Sequence, residues 1–263
     1  MAHDDHDKGL LHDLLTLAER KRERRSVLRW AAGTSVIALV GCGTETSDGG
    51  ESGECSEIPE ETQGPYPGDG SNGVNALALS GIVRSDIRSS VGDASGVAEG
   101  VVLTVTLTIV DAGGDCEPLT GRAVYIWHCD RAGDYSLYTG DAAGENYLRG
   151  VQQTDGEGRV TFTTIFPACY SGRWPHIHFE VYSSLDEATS SESDHATSQL
   201  ALPEDVCAEV YAVDGYEQSV DNLSQISLES DNVFSDGVSL QMATVSGDVE
   251  SGYTATLIVA VEV

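Results

Sequence analysis

Two histidines, His176 and His178, are separated by Ile177 and followed by Phe179 and Val181. Because side chains alternate between the two faces of a β-strand, both histidines project to one side and the three apolar residues to the other. Neutral imidazole is the commonest metal ligand in proteins, and two imidazoles at positions i and i+2 can share one ion. The spacing therefore predicts a metal-binding strand with a core-packing back, although such pairs also occur as hydrogen-bonded structural histidines.

The charge of the chain excludes some partners. Its 263 residues contain 14 Lys and Arg against 43 Asp and Glu, which gives a net charge of −29, and no lysine follows Lys21. Such a surface repels nucleic acids and anionic lipid headgroups, so we expect neither as a partner. Acid-rich, lysine-poor surfaces are tolerated best where salt screens their self-repulsion, and we therefore predict a halophilic origin.

The beginning of the chain has the order of an export signal. Basic residues are concentrated in 20–29 and an apolar run follows at 30–41. A run of this length is too short to span a bilayer as a stable helix, but a basic stretch followed by an apolar one is typical of secretion signals. We predict that 1–41 is a signal segment and that the protein is exported.

Two finer patterns specify the kind of export. Arg24 and Arg25, with Leu28 three positions on, resemble a twin-arginine signal, and residues 39–42 resemble a bacterial lipobox that ends in Cys42. We predict lipidation of Cys42, which would hold the protein at the outer face of the cell membrane only through this lipid anchor. The alternative is that Cys42 is an ordinary thiol.

The rest of the chain is predicted to form an all-β domain. Residues 42–75 are rich in small and polar residues and are interpreted as a flexible tether, and 76–263 as the domain. No long amphipathic helix is evident after the signal, and short strands separated by glycine-rich turns favour an antiparallel β-sandwich. The strands are predicted at 101–110, 123–129, 159–166, 176–182, 238–245 and 253–263, with a turn at Ser246–Asp248.

Cysteine usage agrees with an exported protein but leaves the pairing open. Beyond Cys42 there are five cysteines, an odd number, so that at least one is free or pairs with another chain. They are Cys55, Cys116, Cys129, Cys169 and Cys207. A zinc site built on Cys129 and Cys169 is disfavoured because neither belongs to a C-x-x-C pair.

Several further motifs surround the histidine strand. Tyr135 lies in a Gly-Asp-Tyr-Ser turn after the strand that contains Trp127, Tyr170 precedes His176 by six residues, and Arg173 precedes it by three. With the His-Ile-His-Phe motif, these features make the run 124–181 resemble the intradiol ring-cleavage dioxygenases, above all their exported branch with twin-arginine leaders. Weaker similarity extends to 60–66 and 84–88.

The resemblance implies a bound ferric ion, Fe(3+). Its four ligands would be two tyrosinates and two imidazoles, at Tyr135, Tyr170, His176 and His178. Phenolate is a hard anionic donor that suits ferric iron, and the charge of the metal lowers a phenol pKa of about 10 enough to hold the ionised form. Tyr138 and Tyr147 compete with Tyr135 for its role.

The resemblance also implies the reaction. A catechol-type aromatic diol binds the iron as a dianion and displaces Tyr170, which accepts a proton; dioxygen then opens the ring between the two hydroxylated carbons to give a dicarboxylic acid. Arg173 matches an arginine that stabilises negative charge on the ring. Gln199 matches a pocket glutamine, and an acidic insertion at 183–198 precedes it. His128 either supports one of the ligands from behind or is a buried structural histidine.

Other functions are compatible with the same residues. One is a non-catalytic module that binds a metal or an aromatic ligand on the same sandwich. A second is a zinc or copper site held by the histidines, which would lack the tyrosinate colour of a ferric site. A third is extradiol chemistry, which expects two histidines and one carboxylate; Glu180, on the strand face of His178, would supply the carboxylate. The identity of the diol and the oligomeric state stay open.

Overall fold

The computed structural model describes residues 56–190 and 196–262. The predicted signal segment, Cys42, the first part of the tether and His195 lie outside these described residues. Within them, no helix is both long and apolar enough to cross a membrane.

Eight strands form two four-stranded sheets that pack face to face, which confirms the predicted β-sandwich. The strands are β1 (Val102–Asp111), β2 (Ala123–Trp127), β3 (Arg149–Gln153), β4 (Arg159–Ile165), β5 (His176–Tyr182), β6 (Ala196–Ala201), β7 (Thr244–Asp248) and β8 (Gly252–Val261). The first sheet has the order β4-β1-β8-β7 and the second β3-β2-β5-β6. Short helices connect them: α1 (Leu185–Ser190), α2 (Glu204–Tyr211) and α3 (Glu217–Leu223), with 3₁₀ turns at Gly140–Gly144 and Phe234–Asp236.

The first sheet shows the alternation expected of a half-buried sheet. On β1, Leu103, Val105 and Leu107 are buried in the core between the sheets, whereas Thr104 and Thr106 face outward and are half-buried. This sheet is not purely antiparallel, because β1 and β8 pair in parallel, with Leu103 opposite Tyr253. Tight turns enforce antiparallel pairing only between strands that are neighbours in sequence. Along the chain, all four strands of the second sheet lie between β1 and β8, so no tight turn connects this pair.

The second sheet is buried on both faces. Every residue of β2, β5 and β6 is buried. Ile177, Phe179 and Val181 of β5 pack in the core against the first sheet. The opposite face is covered by loops, and Ala76 and Leu77 belong to the apolar cluster on it. Side chains on this outer face are therefore shielded from water.

The predicted domain boundary at residue 76 is wrong, because part of the predicted tether belongs to the sandwich. The backbone N–H of Ile58 donates to Ala260 O (2.8 Å) and that of Glu61 to Thr197 O (2.8 Å). The side chain of Ile58 is buried in the main core. Polar composition suggested a loose linker, but the hydrogen bonds to two strands fix this segment across both sheets.

The predicted strand at 238–245 is also wrong in its bounds. Strand β7 begins only at Thr244 and includes the residues predicted as its turn. The turn follows instead, because Asp248 Oδ1 accepts hydrogen bonds from the backbone of Glu250 (2.9 Å) and Ser251 (2.8 Å). Upstream, the backbone N–H groups of Gln241 and Met242 both donate to Val238 O, which makes that stretch a turn.

Of the cysteines whose pairing the sequence left open, three are buried free thiols, namely Cys129, Cys169 and Cys207. Cys116 is disulfide-bonded. Burial raises the pKa of the Cys169 thiol to about 12 and that of Cys129 well above its usual value. Both therefore stay protonated at neutral pH while no cation is bound, and each thiol donates to a backbone carbonyl, Cys129 to Ala168 O (3.6 Å) and Cys169 to Arg173 O (3.5 Å).

Candidate active site

The candidate site lies on the covered outer face of the second sheet. His176 and His178 reach it from β5, and the strand register places Trp127 of β2 and Gln199 of β6 on either side of His178. The histidines point there because Ile177 between them must fill the core. The structure confirms the predicted bounds of this strand, 176–182, and the prediction that both histidines lie on the face opposite the core.

A compact turn after β2 carries Tyr135 toward the histidines. Tyr135 O accepts hydrogen bonds from the backbone of Tyr138 (3.1 Å) and Thr139 (3.0 Å), and Tyr135 N donates to Thr139 Oγ1 (2.8 Å). Gly133 adopts φ 91°, a left-handed conformation that favours glycine, which explains the glycine two residues before the tyrosine. Tyr170 comes from the loop between β4 and β5.

The four predicted ligand atoms come together in a ring. Tyr135 Oη lies 3.5 Å from Tyr170 Oη and 3.4 Å from His178 Nε2. His176 Nε2 lies 3.3 Å from Tyr170 Oη and 3.1 Å from His178 Nε2. Donor atoms about 2.1 Å from a common ion lie roughly 3 to 3.5 Å from one another, so the four atoms fit a single metal ion.

The two competing tyrosines point elsewhere. Tyr138 Oη donates to Asn72 Oδ1 (2.8 Å) and accepts from the backbone of Gly68 (2.9 Å). Tyr147 Oη donates to Asp130 Oδ2 (3.2 Å). Of the three candidates, the geometry therefore brings Tyr135 to the histidines.

Each histidine is oriented in its own way. Nδ1 of His176 donates to Trp174 O (2.5 Å), which leaves the lone pair of Nε2 facing the ring of donors. The ring of His178 stacks on Trp127, with centroids 4.9 Å apart and planes 5° apart. Its Nδ1 is buried without a hydrogen-bond partner in the described residues, so the stack orients it.

Burial keeps these groups neutral when no cation is bound. It lowers the pKa of His176 to about 3, with Arg173 adding to the effect, and lowers the pKa of His178 well below its usual value. Burial and the neighbouring Tyr170 raise the pKa of Tyr135. Neutral imidazoles are ready ligands, whereas the phenols need a nearby positive charge to ionise. The donor set thus suits a hard, highly charged metal ion.

The extradiol alternative finds little support. No group of three or more His, Cys, Asp or Glu side chains in 56–190 and 196–262 could hold a metal, and the phenol oxygens of Tyr135 and Tyr170 are the further donors that contact the two histidines. Glu180 accepts a hydrogen bond from Tyr182 Oη (2.6 Å).

His128 has two hydrogen-bond partners of its own. Its Nδ1 donates to Cys129 O and its Nε2 accepts from Thr164 Oγ1, both at 2.7 Å, so His128 is a structural histidine.

Arg173 and Gln199 meet beside the donor ring. Arg173 Nη2 donates to Gln199 Oε1 (2.7 Å), and Gln199 Nε2 donates to Thr62 O (2.8 Å). The guanidinium also forms an ion pair with Asp231 (3.0 Å), and Arg173 is 1% and Asp231 0% exposed. Gln199 thus lies next to Arg173 although an insertion precedes it in sequence.

Two buried residues of the site were not predicted, Asp231 and Arg149. Arg149 donates to the carbonyl oxygens of Tyr66, Pro67 and Ser136, and to the hydroxyls of Tyr125 and Ser136. All these acceptors are neutral oxygens, and they tie the turn of Tyr135 to the loop at 66–67. No strand is predicted at 149–153 from the sequence, so nothing there marked Arg149 for this role.

Exposure separates one ligand candidate from the others. Tyr135, His176 and His178 are only 2%, 2% and 3% exposed. Tyr170 is half-buried, and its loop has no regular structure. Of the four donors, Tyr170 is therefore the one that can move into solvent-accessible space with the least disruption.

Comparisons with known proteins agree with the observed fold. Residues 84–206 match a family model described as dioxygenase. The chain is similar to the structure of an intradiol ring-cleavage dioxygenase from Tetranychus urticae, with 27% identity, a TM-score of 0.60, and coverage of 79% of this chain and 95% of that one. A second dioxygenase structure is 28% identical, with a TM-score of 0.61 and coverage of 80% and 95%.

A curated relative matches over a shorter stretch. Catechol 1,2-dioxygenase 2 of Acinetobacter lwoffii is 34% identical over 59 residues, which are 22% of this chain. The matched stretch spans 21% of that relative's length.

Proposed function

We propose that the protein is a non-haem iron(III) intradiol dioxygenase, which cleaves a catechol-type ring with O2 between its two hydroxylated carbons and releases a muconate-type dicarboxylic acid. One observation carries the proposal: two phenol oxygens and two imidazole nitrogens lie 3.1 to 3.5 Å apart around one point. The similarity to dioxygenase structures over most of the chain supports it.

The residues that would hold the iron are Tyr135, Tyr170, His176 and His178. Ferric iron, when bound, would supply the positive charge that keeps both phenols ionised and that activates a coordinated aromatic diol toward dioxygen. The chain itself contributes a buried site, in which the charges of the ligands interact strongly because water is largely excluded.

Tyr170 would act as the base for the substrate. Its partial exposure and its position on a loop allow its phenolate to leave the donor ring when the diol enters. The freed Oη would accept a proton from one substrate hydroxyl, so Tyr170 accounts for one of the two protons that the diol loses on binding as a dianion. The second proton would pass to solvent, and the ligand set would become more negative by one charge. Tyr135 and the histidines, buried and on or near strands, would stay in place.

Arg173 would stabilise the negative charge that develops on the aromatic ring during cleavage. Its guanidinium is held on two sides, by Asp231 and Gln199, and is removed from water. A fixed charge in a water-poor site stabilises a transition state without reorganising as the reaction proceeds. This feature favours an enzyme over a module that only binds a metal or an aromatic ligand.

The first test is the visible spectrum of the full chain purified in high salt, with iron quantified on the same sample. We expect a broad tyrosinate band, about one iron per chain, a shift of the band on anaerobic addition of catechol, and a ring-opened dicarboxylic acid after O2 is admitted. A colourless protein that cannot bind ferric iron would contradict the proposal, and a coloured protein that turns over no diol would favour the binding module.

A pair of tyrosine variants provides the matched control. Tyr135→Phe removes a proposed ligand, whereas Tyr138→Phe removes a hydroxyl from the same turn whose partners among the described residues are Asn72 and Gly68. The first should lose the band or the iron, and the second should keep both. Equal spectra for the two variants would exclude Tyr135 as a ligand.

We also infer that the enzyme is exported by the twin-arginine route and anchored through a lipid on Cys42, in an organism that lives in high salt. The disulfide at Cys116 supports an oxidising compartment. Expression in a bacterium with active lipoprotein processing tests the inference. Replacing Arg24 and Arg25 by lysine should block export, and Cys42→Ser should move the exported protein from the membrane fraction to the soluble one. Wild-type protein in the soluble fraction would contradict the anchor.

A further inference from the structure

Asp231 is fully buried in the stretch between α3 and the second 3₁₀ turn, far in sequence from the donor ring. Its two carboxylate oxygens bind different segments. Oδ2 accepts from Arg173 Nε (3.0 Å) and from the backbone of Trp174 (2.7 Å). Oδ1 accepts from the backbone of Val233 (2.8 Å) and Phe234 (3.0 Å). The side chain therefore ties its own turn to the segment that leads into β5.

Two chains of contacts lead from Oδ2 to the site. The first passes through Arg173, whose Nη2 donates to Gln199 Oε1 (2.7 Å), so the guanidinium is held between an acid and an amide. The second passes through the backbone of Trp174: its N–H binds Asp231, and its carbonyl, in the next peptide unit, accepts from His176 Nδ1 (2.5 Å). One carboxylate thus contacts both the arginine and the residue whose carbonyl orients a predicted iron ligand.

The charge of Asp231 also has a role. Arg173 is 1% exposed and Asp231 0% exposed, and a buried guanidinium without a counter-charge is strongly unfavourable. Burial alone would raise the pKa of Asp231, but Arg173 and the backbone N–H groups of Trp174 and Phe234 outweigh it and hold the pKa below its usual value. The carboxylate stays ionised and balances the arginine.

We infer that Asp231 is a positioning residue for the ring-cleavage reaction: it fixes the guanidinium of Arg173 at the donor ring and, through the backbone of Trp174, the ring of His176. The inference rests on the proposed function, because the importance of the position of Arg173 depends on the chemistry beside it. Asp231 itself does not touch the donor atoms, so its effect is transmitted through these two neighbours.

The test is a double-mutant cycle on the iron-loaded full chain. Asp231→Asn keeps the size of the side chain but removes the charge and places an amide where both Arg173 and Trp174 need an acceptor. We expect kcat for catechol to fall about 10- to 100-fold, with KM and iron content nearly unchanged, as for other residues that orient a site from outside it. In an Arg173→Lys background, the same change should cause a clearly smaller loss, because the fixed fork of the guanidinium is already gone and only the route through Trp174 and His176 remains.

The matched control is Asp248→Asn. Asp248 also accepts two backbone N–H bonds in a turn, but in the first sheet, and it should leave kcat unchanged. Equal losses from Asp231→Asn with and without Arg173 would overturn the inference. A loss of turnover that only follows a loss of iron, with kcat per iron unchanged, would overturn it as well.

A measurement on the wild-type chain keeps the inference testable if Asp231→Asn does not fold. In metal-free protein, the NMR signal of Arg173 Nε–H, assigned by its absence in Arg173→Lys, should exchange slowly with water and stay sharp. Rapid exchange would show a guanidinium that is not fixed and would overturn the inference. If no diol is turned over by the wild type, the proposed function fails, and this signal still decides whether Asp231 holds the arginine.

Discussion

The two sheets have the same number of strands and contribute similar apolar side chains to the core, yet their outer faces differ completely. On the first sheet, Thr161, Thr254 and Thr256 face solvent. On the second, every residue of β5 is buried and the outward histidines lie under loops. The difference teaches that alternation creates the two faces of a sheet, whereas irregular segments packed on one of them create the site.

The cover explains why the candidate site lies on the second sheet. A water-exposed face screens charges and leaves side chains mobile, so ligands there would be poorly oriented. Under the loops, Arg149 links the turn of Tyr135 to residues 66–67, and Asp231 links the 3₁₀ region to Arg173. Both buried charges attach loops to the second sheet. On the first sheet, the charged Arg159 is exposed and pairs only with nearby carboxylates.

The largest effect should come from removing a ligand on the covered face. His176→Ala deletes one of four donors, and we expect turnover below about one hundredth of the wild-type rate together with loss of the visible band. Iron quantification and oxygen uptake on one sample measure both. Retention of the band at full intensity would show that His176 is not a ligand and would remove the main functional difference between the sheets.

A comparison of two arginines tests the role of the loops. Arg149→Met leaves three carbonyls and two hydroxyls without their donor, and the free energy of unfolding should fall by at least about 3 kcal/mol. Arg159→Met, on the exposed face of β4, should leave the free energy of unfolding nearly unchanged because surface ion pairs contribute little. Urea unfolding of the two variants gives the difference directly. Similar losses would mean that the cover does not depend on Arg149.

A histidine buried between the two sheets, where it contacts Thr164 of β4, should also make stability sensitive to acid. Burial lowers the pKa of His128 to about 4, whereas the unfolded chain binds that proton near pH 6.5. The unfolded state therefore binds more protons between these values, so the contribution of His128 is complete above pH 6.5 and is lost as the pH falls toward 4, by about 3 kcal/mol. Urea titrations of metal-free wild type and His128→Gln across this range should show a shallower pH dependence in the variant. Parallel curves would contradict the assignment.

The smallest effect is expected on the exposed face. Thr161 and Thr106 share a hydrogen bond of 3.0 Å between their hydroxyls on the first sheet. Thr161→Ala should change the free energy of unfolding by less than about 0.5 kcal/mol and leave turnover unchanged, because water replaces the lost partner. A clear loss of activity would indicate that the outer face of the first sheet is also functional.

The local part of the structure was predictable from the sequence. Strand β5 has the predicted bounds, and β1 is displaced by one residue, because period-two alternation needs only neighbouring residues to be visible. The convergence of Tyr135, Tyr170, Arg173 and Gln199 on the histidines was predicted through family resemblance, since spacing alone carries no information on contacts between distant segments. Their roles in catalysis stay predictions.

What was missed depends on contacts that are distant in sequence. Asp231 lies 58 residues from Arg173 in a stretch without periodicity, so no local pattern marks it as a partner. The segment that begins at Ile58 looks like a tether because its composition is polar, and only the hydrogen bonds to β6 and β8 reveal its place. The error at 238–245 has a similar origin, since its apolar residues fill a turn rather than a strand.

The central position of β5 has a consequence for the exchange of metal with the surroundings. Paired with β2 and β6 and buried on both faces, its amides should exchange hydrogen only when the whole domain unfolds. The two imidazoles would then leave their positions only as fast as the protein unfolds. Among the donor-bearing segments, the loop of Tyr170 would be the only one able to open on its own. The rate at which a chelator strips iron should therefore follow the mobility of that loop, whereas refilling the empty site should be fast as long as the sandwich stays folded.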